Sequence, residues 1–192
     1  MQAFVSPAES SPPQGGPDLD ADAFEALFRQ CASEVHGYLI SLLRDRSAAE
    51  DITAQAFERL YRSRGRLDRR RGTPRAWLFA IARNAALDEL RRRRRTSSYQ
   101  ADVGSPVQPP AGDAAGNEGF EQAERRMVVA AALASLPMRE RELVLLKFHG
   151  QLTNAELAHT LGISESNVGT RLHRTLTHLR AQCAPSEEDQ VA

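Results

Sequence analysis

The chain has 192 residues, enough for one ordinary domain or two small ones, and its 25 Lys and Arg balance 25 Asp and Glu to a formal net charge of zero. A hydrophobic content of 41% marks a globular chain rather than a disordered one, and the longest apolar run, Met127 to Ala134, is far too short to span a bilayer. The N-terminus lacks the basic start and apolar core of a secretory signal, and two cysteines, Cys31 and Cys183, make neither a disulfide framework nor a metal-ligand spacing. The expectation is a cytoplasmic protein with no membrane insertion, no metal and no cofactor.

The neutral total hides a pattern. Lys147 is the one lysine, so 24 of the cations are arginines. Residues 64–95 carry 12 positive and 3 negative charges, residues 96–124 carry 0 and 5, and residues 125–182 carry 8 and 4. Two basic blocks parted by an acidic segment point to a polyanion touched at two places.

Residues 1–19, with four prolines among Ser and Gly, predict a disordered tail. From Phe24 to Leu43, apolar residues recur at spacings of three and four and predict one wide helical stripe that includes Cys31 as a small core residue. Ser47 and Glu50 have the spacing of a capping box, and Ile52, Ala56, Phe57 and Leu60 continue a second buried face. After the glycine-broken arginine segment, Thr73-Pro74 starts a helix with a cap and a proline in the first helical position. That helix runs through Trp77, Leu78, Ile81 and Ala85 into the five arginines Arg91 to Arg95.

Residues 96–119 hold three prolines, four glycines and no cation, which predicts a flexible acidic tether at a domain boundary. Beyond it come a helix ending near Leu136, another starting at Pro137 and ending by Gly150, and a capping box at Thr153 and Glu156. The helix opened by that box ends at Gly162, and a last helix begins at Glu165, which is the helix-turn-helix arrangement. The expected organisation is all-α: a tail (1–19), a helical domain (20–95), a tether (96–119), a helix-turn-helix domain (120–182) and an acidic tail (183–192).

On the last helix, with Val168 at 0° and about 100° per residue, Leu172, Leu176 and Leu179 fall near 40°, 80° and 20° and define the core side. Ser166, Asn167, Thr170, His173, Arg174 and Thr177 face away, and such side chains suit base edges in a major groove. Arg174 has the chemistry for a guanine or for a phosphate. Arg171, at the rim, has two readings: a DNA contact or a salt bridge to Glu156. Gly169 in a helix interior costs about 1 kcal/mol against alanine, so the position either wants smallness or tolerates weakness.

In the other basic block, the arginines read either as a solvated helix end or as a phosphate-tracking surface. Trp77 is open to a core role or to stacking an unpaired base, and the Asn84 amide has the donors and acceptor to pair with a base edge.

Taken together, the segments AEDITAQAFERLYRS, RLDRRRGTPRAWLFAIARNAALDELRRRRR and LPMRERELVLLKFHGQLTNAELAHTLGISESNVGTRLHRTLTHLR resemble the extracytoplasmic-function (group IV) sigma factors of bacterial RNA polymerase, over about residues 22–181. The resemblance implies a sigma-2 domain whose Asp51, Gln55, Phe57 and Arg59 dock on the clamp helices of the polymerase's largest subunit. It implies −10 promoter contacts and melting by Arg70, Arg71, Arg75, Trp77 and Asn84, with Arg91 and Arg92 on the phosphates. It implies a sigma-4 domain reading the −35 element through Ser166, Asn167, Thr170, Arg171, His173 and Arg174, and it implies an anti-sigma partner. One departure is Gly169, where the family usually carries Lys or Arg.

Two other functions compete on the residues alone. A polymerase-independent helix-turn-helix regulator explains the last two helices but not the basic block between acidic flanks. An enzyme acting on nucleic acid needs clustered carboxylates or an activated nucleophile, whereas Asp51, Asp68 and Asp88 fall on separate elements and the histidines form no ligand spacing.

Overall fold

The computed structural model describes residues 19–67, 72–97 and 120–183. Leu19 is buried and Cys183 is helical, which shortens both expected tails by one residue; the rest of the tails, most of the tether and the predicted contacts Arg70 and Arg71 lie outside the described residues. The described residues form seven α-helices and no strand: α1 (Ala21–Leu43), α2 (Arg46–Ser63) with a 3-10 turn (Arg64–Arg66), α3 (Pro74–Ser97), α4 (Phe120–Ser135), α5 (Met138–Phe148), α6 (Asn154–Leu161) and α7 (Glu165–Cys183). The all-α expectation holds.

Local chemistry explains where the helices begin. The Asp20 carboxylate accepts from the Ala23 N–H at 2.8 Å and opens α1. At Arg44 the backbone turns left-handed (φ 54°), and Asp45 then caps α2 by accepting from the Ala48 N–H at 3.0 Å. This corrects the capping box expected at Ser47 and Glu50. Ser47 is already helical, and Glu50 instead pairs with Arg46 one turn back. Two cap-competent side chains lie two residues apart, and the one in extended backbone takes the free N–H groups. The Thr73 hydroxyl accepts from the Ala76 N–H and opens α3 as expected.

Helices α1, α2 and α3 enclose a core of Val35, Tyr38, Leu39, Ile52, Leu60, Leu78 and Phe79, with Ala56, Ala82 and Ala86 fully buried where the helix backbones come close. A second group packs Leu143, Leu145 and Leu146 of α5 against Leu157 of α6 and Val168 and Leu172 of α7, while α4 lies along α7. The Arg141 guanidinium braces the α4–α5 corner by donating to the carbonyls of Leu133, Ala134 and Leu136. The two groups do not stand apart. α5 lies on α1 and α6 approaches α3, so one apolar core runs through both.

Candidate nucleic-acid and polymerase interfaces

The α6–α7 pair has helix-turn-helix geometry built from local signals. Thr153 and Glu156 form the reciprocal box that opens α6. Gly162 takes the left-handed conformation (φ 68°) that a residue with a Cβ adopts only at a cost. The Ser164 hydroxyl accepts from the Asn167 N–H at 3.3 Å, which starts α7 at Glu165, three residues after Gly162. Val168 and Leu172 are buried, which leaves Ser166, Asn167, Thr170, His173 and Arg174 exposed together on the far side. The Thr170 hydroxyl donates to the Ser166 carbonyl at 3.0 Å. Its proton is therefore committed, and the residue offers a groove its methyl group and an acceptor lone pair.

Arg171 does not share that face. It is half-buried in a cleft with Arg83, Arg139 and Glu142. The expected alternative, a bridge to Glu156, does not form either. One Glu156 oxygen is held by the Thr153 N–H and hydroxyl at 3.0 Å, and the other accepts from the Thr73 hydroxyl at 2.6 Å.

On the other basic helix, Asn84 is exposed midway along α3. Trp77 is half-buried against the core, and its Nε1–H is buried without an acceptor among the described residues. Arg91 and Arg92 are solvent-facing and pair with Asp88 and Glu89 within their own helix. Exposed pairs of this kind contribute little and exchange readily for phosphate. Arg93 differs. It reaches Glu89 and, across the bundle, Asp45, both at 2.7 Å, and so ties the end of α3 to the cap of α2. The Ala48 N–H and the Arg93 guanidinium hold the Asp45 carboxyl below its ordinary range.

Arg75 points inward. Its Nε donates to the Gly150 carbonyl at 2.6 Å and its Nη2 to the His149 carbonyl at 3.0 Å, and it pairs with Glu34 at 2.7 Å. Nη1 lies 3.3 Å from the Cys31 Sγ, yet burial outweighs that cation and leaves the thiol pKa raised. Cys31 is therefore the core residue expected.

Along α2, Asp51, Gln55 and Arg59 are exposed at intervals of four and form one strip. Phe57 does not stand with them. It is 4% exposed, under the edges of Phe24 and Phe28, so it shapes the helix from below and cannot itself meet a partner. Beside the strip, Phe28 and Tyr61 remain exposed, with the Arg64 guanidinium 3.9 Å above the Tyr61 ring.

Residue patterns missed the polar seam between the two helix groups. Arg83 pairs with Glu142 at 2.8 Å, with side chains 19% and 6% exposed. Glu142 interrupts the apolar stripe of α5, and a buried carboxylate demands a partner. That signal was present, but the partner lies on a helix beyond the tether. Burial pushes the Glu156 carboxyl up, but the Thr73 and Thr153 donors more than offset it and leave the pKa lowered. Burial also pushes the His149 imidazole pKa down, with Glu34 opposing. Among the described residues no group of three or more potential ligands gathers that could hold a metal, and no helix is long and apolar enough to cross a membrane.

A helix-turn-helix with an exposed polar face is thus packed on a three-helix unit carrying an Asn- and Arg-bearing helix. Models of sigma-70 region 2 and sigma-70 region 4 match residues 27–96 and 126–179. The ECF RNA polymerase sigma factor SigK of Mycobacterium sp. (strain KMS) is 29% identical over 163 residues, 85% of this chain and 84% of that protein. SigL of Mycobacterium tuberculosis is 29% identical over 166 residues, 86% and 92% of the two chains. Among solved structures, the sigma factor RpoE in complex with the anti-sigma factor NepR from Bartonella quintana superposes with a TM-score of 0.67 at 19% identity, covering 84% of this chain and 97% of that one. CnrH in complex with the cytosolic domain of CnrY gives 0.59 at 21% identity, covering 90% and 92%. The chain belongs to the extracytoplasmic-function sigma factors. It directs promoter-specific transcription with core RNA polymerase, in a family of non-enzymatic initiation factors.

Proposed function

We propose that this factor divides promoter recognition between a front unit, residues 20–95, and a rear unit, residues 120–182, joined by the tether 96–119. In the front unit the strip Asp51, Gln55 and Arg59 docks on the clamp helices of the polymerase's largest subunit. Asn84 reads a base of the opened −10 strand, and Arg91 and Arg92 follow its phosphates. Arg70 and Arg71 contact the same strand, with Trp77 as apolar support, and Arg75 joins them only when released from Glu34 and the carbonyls of His149 and Gly150. In the rear unit α7 enters the major groove at −35, with Ser166, Asn167, Thr170, His173 and Arg174 toward the bases. The factor acts in the cytoplasm, where its polymerase is, and an anti-sigma protein covers it until a signal releases it. The complexes of RpoE with NepR and of CnrH with CnrY support that last assignment.

One observation carries the reading: the side of α7 opposite Val168 and Leu172 is wholly exposed and polar at the end of a capped helix-turn-helix. Two units that each bind weakly gain by being joined, because the second contact becomes intramolecular, and polymerase fixes their spacing. The test is run-off transcription from host promoters with core polymerase, with and without the factor. Arg174→Ala is expected to lower −35 binding by about 1–3 kcal/mol if it pairs with a base, with relaxed preference at one base pair. Absence of factor-dependent transcripts from every host promoter overturns the proposal.

A further inference from the structure

Charge is unbalanced in the cleft that holds Arg171. Its volume is about 320 Å³, and its polar lining is Arg83 of α3, Arg139 and Glu142 of α5 and Arg171 of α7. Leu161 and Ile163, at the turn between α6 and α7, close an apolar side. Three guanidiniums thus face one carboxylate. That carboxylate is already paired with Arg83, whereas Arg139 and Arg171 have no acceptor among the described residues. The lining carries two positive charges in excess of its negative one.

A second feature concerns Glu142 itself. The residue is 4% exposed, and its Oε1 accepts no hydrogen bond among the described residues. The Arg83 Nε lies 2.8 Å from that oxygen, near enough for an ion pair but not directed at it as a hydrogen bond, while the Arg83 Nη2 donates to the other oxygen at 3.3 Å. A buried carboxylate oxygen in this state gains from an added donor.

Together these features select a ligand. A phosphate monoester carries a charge of about −1.5 to −2 near pH 7 and three acceptor oxygens, which matches two unpaired guanidiniums better than a single carboxylate does. The Glu142 oxygen repels such a phosphate and calls for a hydroxyl elsewhere on the same molecule. The volume is at the low end for small-molecule sites, which suits one sugar phosphate rather than a dinucleotide.

We propose that this cleft binds a hydroxylated phosphate monoester of about the size of a pentose phosphate. Its phosphate lies on Arg139 and Arg171, a hydroxyl donates to the Glu142 Oε1, and its carbon skeleton rests on Leu161 and Ile163. The site goes beyond promoter recognition, because Ser166, Asn167, Thr170, His173 and Arg174 face away from it on the exposed side of α7. It gives Arg171 a use in place of the −35 contact expected of it.

Isothermal titration of the full chain with ribose 5-phosphate, ethyl phosphate and ribose separates the charge from the hydroxyl. Ribose 5-phosphate is expected to bind with a Kd of about 1 mM or tighter, and about tenfold better than ethyl phosphate, the gain that one hydrogen bond to a charged acceptor supplies. Ribose is expected to give no saturable heat. Arg139→Met/Arg171→Met is expected to weaken ribose 5-phosphate by about tenfold or more. Arg29→Met/Arg62→Met, which removes two cations from the exposed sides of α1 and α2, is expected to leave it unchanged.

If the cleft variant loses its helical circular dichroism, Arg139→Met alone carries the test, since Arg139 is exposed, and a smaller loss is expected. No saturable binding of ribose 5-phosphate overturns the proposal, as do equal affinities for the two esters or an equal loss in the control variant. Displacement of ribose 5-phosphate by an oligothymidylate of about 15 nucleotides assigns the cleft to a nucleic-acid backbone and overturns the proposal as well; none is expected. Binding is read on the free chain, so the result is independent of run-off transcription.

Discussion

Replacing Gly169 by alanine should stabilise the protein, and the size of the gain follows from its surroundings. Gly169 lies inside α7, and a Cβ built on its backbone meets nothing within 4 Å. No packing is displaced and none is gained, so the change reduces to intrinsic helix propensity, about 0.8–1 kcal/mol in favour of alanine. With an m-value of about 2 kcal/mol/M, the urea midpoint rises by about 0.5 M. For a chain of this size the melting temperature rises by about 2–4 °C. The assay is urea denaturation followed by circular dichroism at equal m-value. A midpoint that stays put or falls refutes the reasoning, because it means that the position is packed or is not helical. The same open space admits an arginine. Gly169→Arg is expected to steepen the salt dependence of promoter binding by the holoenzyme by about one unit of slope, the signature of one added phosphate contact. An unchanged slope shows that the side chain at this position does not approach the DNA backbone.

Other expectations follow from single contacts. Arg93→Met should lower stability by about 1 kcal/mol in urea denaturation, since it cuts a two-carboxylate link between helices, whereas Arg91→Ala should change it by no more than a few tenths. Tyr38→Phe should leave stability unchanged or raise it by up to about 1 kcal/mol, because the ring stays against Phe79 while a buried hydroxyl without a partner among the described residues disappears; a loss of that size shows that the hydroxyl is satisfied. Burial holds His149 neutral in the folded chain, between Glu34 of α1 and the Arg75 guanidinium on its carbonyl. Its contribution is complete above the unfolded histidine value of about 6.5 and is lost as pH falls below it. The melting temperature should therefore fall from pH 7.5 to pH 5.5, and His149→Gln should flatten that change; an equally steep fall in the variant assigns it to other groups.

Features governed by neighbours in the chain were legible in the sequence. Thr153, Glu156 and Gly162 act within four residues of the bonds they make, so the helix-turn-helix and the outward face of α7 could be read directly. The Asp45 cap was missed because Ser47 offered the same chemistry two residues later, and only backbone conformation decides between them. Phe57 illustrates a second limit. Its place in the apolar stripe of α2 and its family role point to opposite faces, and the rings of Phe24 and Phe28 settle the question. Arg75 and Glu142 mark the third. The partners that fix them are 74 and 59 positions away in the chain, and no periodicity carries information across that interval.

Arg44 and Arg141 both donate to the carbonyl of Ala134, at 3.0 and 2.6 Å, so two like charges converge on one oxygen at the edge where the helix groups meet. Burial, and then the nearness of Arg44, lower the Arg141 pKa. The join thus contains attraction at one corner and crowding at another. Dissolved ions weaken the attraction and relieve the crowding together, so the fit of the two halves depends less on salt than either contact does alone.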